Sequence, residues 1–163
     1  MIDKHPFRHY VKVMARSHNA GWWPLVLAAL LALGFVSSGA WAGSVVAAND
    51  GHGGETLAVK SLPVKGKTTL IDFYSPFCPP CVRLAPVMKK LAVRRADLAI
   101  KKVNINRPGI QGIDWQSPLA QQYGIRRVPY FMIFSPAGKL VAEGKDAVDQ
   151  VRRWLQEEDL MKR

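Results

Sequence analysis

The chain has only two cysteines, and they stand three positions apart in Cys78-Pro79-Pro80-Cys81. Two thiols cannot staple a disulfide-rich mini-scaffold or fill a four-thiolate metal site. The fold must therefore rest on an apolar core, and 163 residues, 48% of them hydrophobic, suffice for one domain. The residues around the pair fix its setting. Thr68-Thr-Leu-Ile-Asp-Phe-Tyr74 is rich in β-branched and aromatic side chains and reads as a buried strand. After the pair, Leu84, Val87, Met88, Leu91 and Ala92 recur at helical spacing, so a helix is expected from Pro79 to about Arg95, with Pro86 inside it.

A C-x-x-C between a strand and a helix is a redox setting. At a helix N-terminus, free N–H groups and the macrodipole stabilise an anion, which makes the first thiol a nucleophile. Cys78 would attack a disulfide and Cys81 would resolve the mixed disulfide. Pro79 and Pro80 lack N–H groups, so the loop is stiff, and the Cys81 N–H is left to point back at the Cys78 sulfur. Other uses of the pair fare worse. A structural disulfide closing so short a loop adds little stability. A tetrahedral metal site needs further ligands, and beyond residue 42 the only histidine is His52, in a glycine-rich stretch. No metal site is expected, although copper binding by the two thiols stays open. The lack of a domain histidine also disfavours hydrolase chemistry.

The N-terminal residues read as an address. Lys4, Arg8, Lys12 and Arg16 flank an uncharged run from Trp22 to Ala42, which closes on Ala40-Trp41-Ala42. Residues 1–42 are therefore either a cleaved signal peptide or an N-terminal membrane anchor helix formed by residues 22–42. In both cases the rest is exported, to the periplasm or tethered at the inner membrane. The whole chain is formally +11, and the remainder holds 19 Lys and Arg against 11 Asp and Glu. That balance is basic, but nucleic acid is not an expected partner outside the cytoplasm. Residues 43–55 (GSVVAANDGHGGE) are small and polar and read as a flexible linker. Further on, strands are expected at Leu98–Asn104, Tyr130–Phe134 and Leu140–Glu143, the last two joined by a turn at Pro136-Ala137-Gly138. A short helix should start at Ser117-Pro118 and a final one at Asp146. The order β-α-β-α-β-β-α predicts an α/β domain with a central mixed sheet covered by helices on both faces.

The segment Ile71-Asp72-Phe73-Tyr74-Ser75-Pro76-Phe77-Cys78-Pro79-Pro80-Cys81 resembles the active-site segment of the thioredoxin superfamily. Pro86 falls five residues after the second cysteine, as in that family. Gly124-Ile125-Arg126-Arg127-Val128-Pro129 resembles the segment bearing its cis-proline. The likeness covers about residues 56–160 and implies a thioredoxin-like domain over 56–163. It implies Cys78 as nucleophile, Cys81 as resolving thiol and Asp72 as the buried carboxylate that relays the proton of Cys81. Lys102 matches the lysine facing that carboxylate, and Pro129 the cis-proline. Phe77, Pro79, Pro80 and Val128 join Pro129 as substrate-binding positions. The reactive group would be the Cys78–Cys81 disulfide, with no added cofactor. The chain departs from the family where Pro79 and Arg127 replace glycines and where residues 107–116 form a longer segment. No large helical insertion separates Cys81 from Pro129, unlike the Dsb-type oxidases.

The implied function is a thiol:disulfide oxidoreductase of the cell envelope. It would reduce or exchange protein disulfides, for example in cytochrome c maturation, and draw on a membrane electron donor or acceptor. The alternatives are a disulfide oxidase or isomerase, and a non-catalytic copper-binding or chaperone module.

Overall fold

The computed structural model describes residues 43–161. The expected signal peptide or anchor at 1–42 lies outside the described residues. Among the described residues, no helix is long and apolar enough to cross a membrane. Five strands, β1 (Val45–Ala47), β2 (Thr68–Tyr74), β3 (Leu98–Asn104), β4 (Tyr130–Phe134) and β5 (Leu140–Glu143), form one sheet in the order β1-β3-β2-β4-β5. β3 runs parallel to β1 and β2, whereas β4 is antiparallel to β2 and β5. The helices are α1 (Pro79–Arg94), α2 (Pro118–Gln122) and α3 (Gly144–Glu157), and a 3-10 turn spans Val59–Ser61.

β2 lies at the centre, with Thr69 to Phe73 all buried. A strand covered on both faces loses the polar alternation of a surface strand, which is why Leu70, Ile71 and Phe73 occur on both faces of this run, with Asp72 its one charge. Its side chains still alternate between two cores. Leu70 joins Met88 and Leu91 of α1, Ile100, Phe131 and Trp154 of α3 on one face. Ile71 and Phe73 join Val59, Val103, Leu119 and Met132 on the other. By the same alternation Asp72 shares the face of Leu70, beneath α1.

The helix starts follow local chemistry. Pro118 occupies the first turn of α2, and the Ser117 hydroxyl accepts the Ala120 N–H at 3.1 Å. α3 begins at Gly144, two residues before the expected start at Asp146. Gly144 adopts φ 57°, a left-handed conformation that lets the chain turn from β5 into the helix with no loop.

Residues 43–55 are not a linker. β1 pairs with β3 in register Val45 to Ile100, and the ladder continues through Ala48 N–H to the Lys102 carbonyl at 2.8 Å. Asn49 then acts as a strand residue would. Its amide donates to the Asn104 carbonyl at 2.8 Å and accepts the Asn104 N–H at 2.9 Å. Gly53 and Gly54 are buried, and Gly54 hydrogen-bonds both Asn104 and Leu119 through its backbone. A Cβ at Gly53 would strike the Asn106 carbonyl and the Asn104 amide. Small residues are present here because the backbones approach closely. Asn49→Ala should therefore cost about 2 kcal/mol, since it leaves Asn104 groups unpaired, and chemical denaturation would measure the loss.

Candidate active site

The carboxyl end of β2 delivers the chain to Ser75, whose hydroxyl accepts the Phe77 N–H at 3.1 Å and whose carbonyl accepts the Cys78 N–H at 3.2 Å. This turn sets Cys78 at the N-cap of α1, with extended backbone. Pro79 and Pro80 fill the next two positions, where a missing N–H costs nothing to the helix. Cys78 and Cys81 form a disulfide with their Cα atoms 5.3 Å apart. The Cys81 N–H points at the Cys78 sulfur, 3.2 Å away, as expected for the one donor the prolines leave in that turn. Both cysteines are buried, while Phe77, Pro79 and Pro80 are exposed around them.

The cis Val128–Pro129 bond brings the other wall of the site close. The Val128 carbonyl oxygen lies 3.6 Å from the Cys78 sulfur. Val128 and Pro129 are half-buried, so a ledge of backbone stands open beside the disulfide. The structure thus unites Phe77, Cys78, Pro79, Pro80, Cys81, Val128 and Pro129 on one surface.

Asp72 sits below that surface, 3% exposed, and among the described residues its Oδ1 has no hydrogen-bond partner. Burial pushes its carboxyl from 3.8 up to about 6, and the charge of Lys102 pulls only partly against this. A carboxyl titrating there can hold or release a proton near neutral pH. Lys102 is the cross-strand neighbour of Asp72, yet its ammonium rests 3.8 Å from the centre of the Tyr74 ring. Among the described residues it makes no ion pair with Asp72; it acts on the carboxyl through space. Burial, followed by the charges of Asp72 and Asp50, raises the Tyr74 phenol above its ordinary value.

Sequence reasoning missed a cleft of about 280 Å³ beside Phe77, walled by Asn49, Gly53, Tyr74, Asn104 and Ile110. The signal for its inner wall was the pair Val45-Val46, β-branched residues in an otherwise small and polar run. The outer wall is the long segment 107–116. Arg107 grips Asp114 through two nitrogens, at 2.7 and 3.0 Å, and its hydrogen bonds hold the Asp114 carboxyl below the ordinary range. Trp115 in this segment packs against the second core.

The family model named Thioredoxin matches residues 59–157. A thioredoxin-like protein of Fusarium culmorum is 39% identical over 82 residues, 48% of this chain and 60% of that protein. The thioredoxin of Acidithiobacillus ferridurans is 33% identical over 99 residues, 60% of this chain and 80% of that one. The first curated relatives are matched over about 60% of their length. Among solved structures, the short form of spinach chloroplast thioredoxin F is similar at 27% identity and a TM-score of 0.49, over 73% of this chain and 96% of that chain.

Proposed function

The chain belongs to the thioredoxin family, and from that premise we propose that it is a thiol:disulfide oxidoreductase acting on protein disulfides. The observation that carries the reading is the Cys78 sulfur, held at a helix N-terminus and facing the Cys81 N–H at 3.2 Å. In the reduced protein the Cys78 thiolate attacks one sulfur of a substrate disulfide. A mixed disulfide forms and one substrate thiolate leaves. Cys81 then gives its proton to Asp72 and attacks the Cys78 sulfur. The second substrate thiolate leaves, and the Cys78–Cys81 disulfide carries away the two electrons' worth of oxidation.

The reductive direction is favoured by what the first turn of α1 lacks. With prolines at two of its first three positions, one backbone N–H remains to stabilise the Cys78 thiolate. A strong oxidant instead needs a highly stabilised thiolate. The work is placed in the cell envelope, supplied with electrons by a membrane protein; cytochrome c maturation is one process that needs such a reductant. The support is the basic flank and apolar run of residues 1–42, together with the confinement of both cysteines to one redox pair.

The test is insulin-disulfide reduction driven by a small dithiol, with the reduction potential measured against glutathione. Wild-type protein should accelerate the reaction, and its potential should lie below about −240 mV. No acceleration, with stoichiometric copper binding instead, would replace this reading by a metal-binding one. A potential well above the glutathione couple would reverse the direction.

A further inference from the structure

The ledge that faces the disulfide is followed backwards along the chain by two arginines, Arg127 and Arg126. Arg127 adjoins Val128, whose carbonyl oxygen is the group 3.6 Å from the Cys78 sulfur. Both arginines are exposed. Among the described residues, neither has a carboxylate within ion-pair distance, although arginines elsewhere do. The imbalance extends well beyond the ledge. From Phe73 to Ala142 the only acidic residues are Asp97 and Asp114. Asp97 is paired with Arg95 and Asp114 with Arg107, so neither is available to neutralise the ledge. Asp72 is buried, and Glu143, whose charge reaches Tyr130 next to the cis-proline, makes no ion pair with either arginine.

Arg126 also rims a second cleft, of about 400 Å³, lined by Trp115, Gln116, Gln121, Gly124 and Ile125. Followed back from the ledge, the chain runs through Arg127 to Arg126, and the cleft that Arg126 rims offers an indole and two amides. Unpaired guanidinium groups fork onto carboxylates, and an exposed cationic rim speeds the encounter with an anionic partner. We propose that Arg126, Arg127 and the adjoining cleft are a docking surface for acidic protein segments, so that this protein prefers substrates with Asp or Glu flanking the disulfide. The proposal rests on the redox reading above and names the substrate class for that same site.

The experiment uses three disulfide-bonded peptides identical except for their flanks, which carry Glu, Gln or Lys. Reduced full-length protein is mixed with each, and the rate constant for its oxidation is measured at low salt and at 0.5 M salt. The Glu peptide should react roughly tenfold faster than the Gln peptide at low salt, the size expected of two exposed ion pairs, and the Lys peptide slower than both. At high salt the three rates should converge. In the double variant Arg126→Glu/Arg127→Glu the order should invert, with Lys ahead of Glu; because this is a ratio within one variant, a general loss of rate does not affect it. Equal rates for all three peptides in the wild type, or an unchanged order in the variant, would overturn the docking surface and leave the redox reading standing. If wild-type protein reduced none of the three, the redox reading itself would fall.

Discussion

Cys78→Ser should reduce dithiol-driven insulin reduction to the rate of the dithiol alone, a loss of at least ~1,000-fold. The serine hydroxyl is not ionised at neutral pH, and the helix N-terminus that stabilises a thiolate cannot make it so. Cys81→Ala should fail differently. The first attack needs only Cys78, so this variant should still take up substrate and then stall, accumulating a mixed disulfide visible on a non-reducing gel. The division of labour follows the geometry of the turn: the Cys78 sulfur lies 3.6 Å from the Val128 carbonyl on the open ledge, while Cys81 sits in the first turn of α1. Substantial turnover by Cys78→Ser would end the assignment. Capture by Cys81→Ala that survived the loss of Cys78 would move the nucleophile elsewhere.

Asp72 supplies the second large effect, on stability. Folding raises the affinity of this carboxyl for its proton, moving it from 3.8 to about 6, chiefly through burial. Its contribution to stability is therefore fully present below pH 3.8 and lost as pH rises through about 6. That interval corresponds to about 3 kcal/mol at neutral pH. Asp72→Leu, which removes the buried charge at similar volume, should be more stable than wild type by roughly 2–3 kcal/mol at pH 7.5, with the gap closing toward pH 4. Denaturant titrations at the two pH values would show it. The same variant should resolve mixed disulfides roughly 100-fold more slowly, because Cys81 loses the group that takes its proton. Parallel stability curves at both pH values would mean that Asp72 is not held out of water as described.

Most of the sheet was legible because its strands carry their own signal. The runs at Thr68–Tyr74, Leu98–Asn104 and Tyr130–Phe134 are apolar enough to be strands in almost any context, and the structure keeps their bounds. Asp72 was legible through the family resemblance, which has a carboxylate six residues before the first cysteine. β1 was not legible, because a three-residue strand owes its existence to a partner some 55 positions away. Its neighbours Gly53 and Gly54 are small to admit another backbone, which on the page looks the same as being small for flexibility. Lys102 was named from the same resemblance, but its rest on the Tyr74 ring depends on side-chain geometry that no spacing encodes.

The pairing of β1 with β3 bears on where the domain may be cut. The family likeness begins at residue 59, and a shortened protein starting near there would look complete. It would lack the strand that covers β3, leaving the backbone groups of Ile100 and Lys102 unsatisfied along a newly bared margin. Such a margin recruits a second molecule. The folding unit therefore includes the residues from Ser44 to Ala48, and self-association of versions that lack them would reflect the cut rather than the native protein.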